Sequence, residues 1–500
     1  MELEKARIEF AQLQRRISAI EHATSLVFFD GETSAPPDTA DNRIRTLEVL
    51  NDTIYKLKFG DETTRVTDYL RENEEQLTFL EKRSLELLKR ESDRIKSVPK
   101  EKYIQYESLI SKAQDALHRA NDNQDYDAFL PYLEEIIERL SEFAAYSNSG
   151  LSTYDYYLDK YETGMNTEKY DKIFDVIKAE VPPLLQEIMA RPQVDDSCLK
   201  GDFPSDKQAD LAVYIMELLR LDLGKVGLAT GDHPFTSKMG SPHDERIVTK
   251  YSRKDFSFSL YNMLFECGHT LSEMGQQDQV LYTLIEGTAT FGLLEAQTRF
   301  YENVVGRSRE FIEFLYPELE TLFPETVGNY SSEELYRAVN KVQPSPIRIG
   351  SDEVTNNLHV LVRYEVEKAV MDGSLSVRDL PDAWAEKYKK YLNVEVKNPV
   401  QGLLQDIHWS SGDIGYFPTA ALGNIYLALT VDKMNEDIDL SQCIREGDFE
   451  TINKWNREHI WKNTGLYDTK DVMEKFVGVH TDCEPYIRYL KGKYREIYGI

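Results

Sequence analysis

Cysteine is scarce in this chain. Four residues in 500, Cys198, Cys267, Cys443 and Cys483, form no C-x-x-C pair and no disulfide framework, which fits a reducing compartment. Long apolar runs are lacking too. The longest, around Tyr416 to Val431, is interrupted by Pro418, Gly423 and Asn424 and is too short to span a bilayer. The opening MELEKARIEFAQLQRRIS is charged from its second residue and has no signal-peptide core. Basic residues are outnumbered, 59 Lys+Arg against 87 Asp+Glu, a net charge of −28. Such a surface repels phosphate backbones and anionic lipid, so nucleic acid and membranes are poor partners. The expectation is a soluble, cytoplasmic protein.

What is present is core-forming material, 41% hydrophobic and 11% aromatic, which excludes global disorder. The length alone allows about three domains of ~150 residues or one large body. Helical periodicity dominates: Phe10, Leu13, Ile17 and Ile20 recur at helical spacing, as do Leu133, Ile136, Ile137 and Leu140. Glu81 to Arg94 reads as solvated helix surface. Breaks are expected at Ala35-Pro36-Pro37, at Pro182-Pro183 and across Gly231 to Pro242.

From His233 to Tyr251 the pattern turns short and alternating, and Arg246-Ile247-Val248-Thr249 reads as a strand. Asp255 then predicts an N-cap, with a helix running to Gly275 and a second over Leu284 to Val304. The first of these carries Phe265-Glu266-Cys267-Gly268-His269. Set against the zinc-peptidase pattern H-E-x-x-H, Glu266 and His269 are in place and the first His is Phe265. Glu295, on the second helix, stands where such peptidases supply a third ligand, and Gly287 and Gly292 suit a close approach of the two helices. On these residues alone, an ordinary helix-surface carboxylate is the commoner reading of Glu295. Cys267 and His269 lie about 200° apart around the helix, so they form no thiol-protease dyad.

More distant segments carry a resemblance. Gly402-Leu403-Leu404-Gln405-Asp406-Ile407-His408-Trp409 is followed by Gly415-Tyr416-Phe417-Pro418-Thr419 and Leu422-Gly423-Asn424. Asp232-His233-Pro234-Phe235-Thr236, Asp244-Glu245-Arg246-Ile247 and Ile347-Arg348-Ile349-Gly350-Ser351-Asp352-Glu353 stand earlier in the chain. Phe29-Asp30, Thr33, Pro36-Pro37 and Arg43 complete the set. In this order they resemble the signatures of the carboxypeptidase Taq family of zinc metallocarboxypeptidases. The resemblance implies a mainly α, two-lobed body over residues 1–500, with a deep groove, a small β-sheet beside the metal site, and homodimer formation. It further implies one zinc ion, a substrate with a free C-terminal carboxylate, Glu266 as general base, and His269 and Glu295 as ligands. Arg348 is the candidate anchor for the carboxylate, with His233, Arg246 and His408 lining the substrate path. The strand around Arg246 would pair with the substrate backbone by edge addition.

Departures from the family gather at that same place. Phe265 replaces the first zinc ligand, and a phenyl ring offers no donor. Leu294 stands where H-E-S-Q begins with His, Ala420 where a tyrosine follows G-Y-F-P-T, and Val248 where a threonine is usual. A missing ligand costs on the order of 3 kcal/mol of zinc affinity. His243 is a conceivable substitute, and an exposed loop histidine is the commoner reading of it. Three functions remain open: a weakened metallocarboxypeptidase, a binder of peptide C-termini without hydrolysis, and a structural homologue. The residue chemistry favours loss of the metal.

Overall fold

The computed structural model describes residues 2–241 and 243–500; Pro242, at the end of one expected break, lies outside them. Helix signals are realised almost throughout. The first helix, α1 (Leu3–Thr33), buries Phe10, Leu13 and Ile17, and ends before the expected break at Ala35. Its stripe meets Leu57, Phe59, Val66, Leu70, Leu85 and Leu88 from the next three helices in a core of their own. Leu133, Ile136 and Leu140 join the main core instead, with Ile137 packed against it.

One expected break is absent. Pro182 and Pro183 lie inside α2 (Thr167–Met189), which continues through them. Local proline cost is about 3 kcal/mol. The buried run Ile177, Val181, Leu184, Leu185 and Ile188 on both sides of the pair outweighs it.

A small sheet stands beside the central helices. Its strands β1 (Val226–Thr230), β2 (Phe235–Lys238) and β3 (Glu245–Thr249) are ordered β1-β3-β2, with β1 parallel and β2 antiparallel to β3. The strand expected around Arg246 therefore exists but is central. Both its edges are taken, so edge addition there is excluded. Strand β2 is at an edge, with Phe235 edge-on to Phe28 and Phe29 of α1.

Helix α3 (Phe256–Met274) starts where expected: the Asp255 carboxylate accepts the Ser257 N–H at 2.8 Å. The following helix, α4 (Phe291–Arg299), starts later than the periodicity suggests. Between the two, Thr283 and Thr288 hydroxyls donate to nearby backbone carbonyls and Gly287 takes φ 71°. These local bonds compete with helix. Helix α4 begins once the buried Glu162 carboxylate receives the Gly292 N–H at 3.0 Å, then runs into a π-helical segment, Phe300–Val305. Two further helices, α5 (Glu353–Met371) and α6 (Pro418–Asp437), are buried over most of their length. The interrupted apolar run of the sequence is thus a core helix. No described helix is long and apolar enough to cross a membrane. The body is mainly helical with one small sheet, as expected.

Candidate active site

Two helices and the sheet edge bring the expected residues together. Glu266 on α3 is buried, and its carboxylate accepts the Thr236 hydroxyl from β2 at 2.7 Å. Burial pushes this carboxyl up, as does nearby Glu295; Thr236, His269 and His233 oppose the shift. One turn on, His269 Nε2 meets Glu273 Oε1 at 3.3 Å. Burial lowers the pKa of His269, but Glu273, Glu266 and Glu295 more than offset it, so the imidazole is raised overall. Glu295 on α4 accepts Arg299 Nε at 2.6 Å, and both side chains are largely buried. Phe265 is half-buried on the same helix as Glu266. Leu294 and Ala420 are half-buried, and Val248 is fully buried on β3 opposite Phe235.

Close packing fixes this geometry, though by other glycines than expected. A Cβ on Gly268 would lie 3.0 Å from Gln297 O and Thr298 Cα of α4, and one on Gly423 would lie 2.8 Å from Glu295 Cβ. Gly292 faces the Glu162 carboxylate, and Gly287 faces the tip of Lys238.

A second cluster lies on the loops before α5 and α6. Arg348 donates from Nη2 to Asp406 Oδ1 at 2.8 Å and from its backbone N–H to Gln405 Oε1 at 2.8 Å. Asp406 also takes Arg363 Nε at 2.7 Å, from a guanidinium wholly buried on α5. Although burial alone would raise it, the two guanidinium groups hold the Asp406 carboxyl well below the usual range. His408 Nδ1 lies 3.8 Å from Asp406 Oδ1, and its ring stacks on Tyr416 at 5.1 Å and 12°. Burial lowers its pKa. Burial also raises the Tyr416 phenol, with Glu295 adding to the rise and Arg348 and Arg299 opposing it. The phenol thus lies within electrostatic reach of both clusters.

Other expected residues fall outside this arrangement. His233 is exposed, with Nδ1 2.7 Å from Pro234 O, and reaches Glu266 only through its field. Arg246 is held by Asp244 at 2.7 Å. His243 lies 3.7 Å from Asp278 Oδ1 on the surface. Cys267 is buried and its thiol is pushed up by that burial. Sequence reading missed Glu273 and Arg299, each four residues beyond a named ligand, a spacing that helical i,i+4 logic exposes. It also missed Glu245, fully buried on β3 with both carboxylate oxygens unpartnered. Burial and neighbouring Glu273 push the Glu245 carboxyl well up.

A helix presenting Glu266 and His269 beside a sheet edge, faced by a carboxylate from the next helix, has the layout of a helical metallopeptidase. Residues 9–494 match the carboxypeptidase Taq (M32) metallopeptidase family. Carboxypeptidase 1 of Bacillus subtilis is 32% identical over 500 residues, covering 100% of both chains. Thermostable carboxypeptidase 1 of Pyrococcus furiosus is 31% identical, covering 96% of each. The crystal structure of the M32 carboxypeptidase from Deinococcus radiodurans superposes with a TM-score of 0.96 at 28% identity, over 99% of this chain and 100% of that one. This chain belongs to the carboxypeptidase Taq family.

The family implies a divalent metal, and the residues here do not fit one. Phe265 has no donor atom, which leaves His269 and Glu295 as the two protein donors, each with one atom already in contact with a protein partner. Among the described residues, no group of three or more His, Cys, Asp or Glu is arranged to hold a metal ion. Tetrahedral zinc with an open position needs three protein ligands.

Proposed function

We propose that this chain is a carboxypeptidase-type protein that binds peptide C-termini, with hydrolysis lost or greatly weakened. The observation that carries this reading is the contrast between its two clusters. The ligand cluster has lost a donor at Phe265, and its two remaining ligands have protein partners. The candidate carboxylate anchor, Arg348, is by contrast present. Arg348 and Arg363 place two positive charges against the single carboxylate of Asp406, leaving a net positive charge beside Arg348. Asp406 occupies the Nε and Nη2 edge of Arg348, so the Nη1 edge is the one offered to a peptide carboxylate. Glu266 stays as a buried carboxyl held by Thr236, with the donor-free ring of Phe265 before it in the chain. A surviving hydrolase would need a third metal donor, and His243, the candidate in the sequence, lies exposed on the surface, 3.7 Å from Asp278.

The test is Arg348→Ala with a short peptide in free-acid and amidated forms, binding read by calorimetry. The free acid is expected to lose roughly 10- to 100-fold in affinity, with little change for the amide. Equal losses for the two would remove Arg348 from the anchor role.

A further inference from the structure

Arg348 is gripped at two points. Asp406 Oδ1 accepts its Nη2 at 2.8 Å and its Nε at 3.3 Å, while Gln405 Oε1 accepts its backbone N–H at 2.8 Å. Both acceptors are bound in turn by Arg363 on α5, which is wholly buried. A buried guanidinium is costly unless its charge is paired and its donors are met. All five N–H bonds of this one are met. Nε donates to Asp406 Oδ2 at 2.7 Å; Nη2 donates to the same oxygen and, at 3.2 Å, to Gln405 Oε1. Nη1 donates to the His359 carbonyl at 3.0 Å and to the Tyr388 hydroxyl at 3.2 Å. That hydroxyl lies 2.8 Å from His359 Nδ1. The rings of Trp384 and Phe417 stand 4.7 and 5.0 Å from the guanidinium, and Phe417 stands 5.1 Å from that of Arg348 as well. So enclosed, Arg363 offers no edge to a ligand.

We propose that Arg363 is a positioning residue for Arg348: it fixes Asp406 and Gln405, and through them the edge of Arg348 that meets a peptide C-terminus. The inference rests on the peptide-binding reading above and deepens it. The Asp406 oxygens are divided, Oδ2 to Arg363 and Oδ1 chiefly to Arg348. With Oδ2 pinned the carboxylate does not turn, and Oδ1 presents one direction to Arg348. Gln405 is arranged in the same way. Its amide nitrogen donates to the Pro346 and Gln401 carbonyls, each at 2.9 Å, and its oxygen takes both arginines. A long, flexible arginine gains affinity when its geometry is set before the ligand arrives. A planar fork is what this task needs, because one group must reach Asp406, Gln405 and Tyr388 together. An ammonium in its place is a point charge with fewer donors and no fork.

The experiment is a double-mutant cycle on the full chain, Arg363→Lys against Arg348→Ala, with Tyr388→Phe beside it. Binding of one pentapeptide, as free acid and as amide, is read by calorimetry, and folding by urea unfolding. Arg363→Lys is expected to weaken the free acid about tenfold and to leave the amide within about twofold. Tyr388→Phe, which removes one hydroxyl, should act in the same direction by about threefold. In the Arg348→Ala background neither change should weaken the acid further, since each acts through Arg348. Equal losses for acid and amide, or the same loss with and without Arg348, would reduce Arg363 to a support of the fold and overturn the proposal. If Arg363→Lys does not fold, Tyr388→Phe decides, and a folded Tyr388→Phe with the acid affinity of the parent overturns it too. A parent that binds acid and amide alike, or that is indifferent to Arg348→Ala, fails the peptide-binding reading and takes this inference with it.

Discussion

At the scale of single residues, one side chain decides the chemistry. A phenyl ring stands at position 265, where the family pattern has a ligand whose loss would cost on the order of 3 kcal/mol, and among the described residues no group of three or more His, Cys, Asp or Glu is arranged to hold a metal ion. Phe265→His is expected to raise zinc affinity by around two orders of magnitude, read by competition with a chromogenic chelator. An unchanged affinity would mean that Glu273 and Arg299 hold the other two ligands too firmly. The sequence places Glu266 and His269 on one helix and Glu295 on the next, where the structure has them. Reading them as a metal site with a defect at Phe265 comes from the family resemblance, since spacing alone favours an ordinary surface carboxylate for Glu295. The partners that commit those groups are less legible. Glu273 and Arg299 are local and within reach of helical spacing. The sharing of Asp406 by Arg348 and Arg363, and the burial of Glu245 against Glu273, are meetings of distant segments that no local pattern encodes.

At the scale of elements, the site depends on how closely three helices pack. Glu295 lies where α4 presses against α6, and Gly423 is the residue that permits it. Gly423→Ala would drive a methyl into Glu295 Cβ and the Gly292 carbonyl. The expected cost is about 1–3 kcal/mol in urea unfolding. Gly492→Ala is the control: it lies in the Glu484–Tyr498 helix with open space around it, and should be neutral or stabilise by up to about 1 kcal/mol. Similar effects for both would show that the α4–α6 approach is not tight. The sequence located these helices well and their ends less well. Pro182-Pro183 was read as a break because local cost is visible and tertiary burial is not. The Leu284 start failed because threonine hydroxyls between α3 and α4 satisfy the backbone before α4 begins. The strand around Arg246 was found, but its central place depends on where β1 and β2 pair, which alternation does not state.

At the scale of the whole molecule, two buried carboxyls give stability a pH dependence. Glu367 receives Trp409 Nε1, the Gly415 N–H and the Tyr154 hydroxyl, and Glu162 receives the Gly292 N–H. Burial outweighs these bonds and pushes each carboxyl up to about 7. A carboxyl with a raised folded pKa keeps a proton that the unfolded chain gives up. Its contribution is therefore full below about pH 4.5 and is lost as pH climbs toward about 7, on the order of 3 kcal/mol for each. Glu367→Gln should flatten the fall in unfolding free energy between about pH 5 and pH 8. A variant with the slope of the parent would mean that Glu367 is ionised in the folded state.

The account as a whole turns on whether the ligand cluster holds a metal. The direct measurement is zinc per chain by elemental analysis, after dialysis of the purified full chain against micromolar zinc and gel filtration. A value near zero is predicted, since only His269 and Glu295 remain and both are engaged by the protein. About one zinc per chain would contradict it, and would make the metallocarboxypeptidase reading, with a substitute ligand completing the site, the leading one.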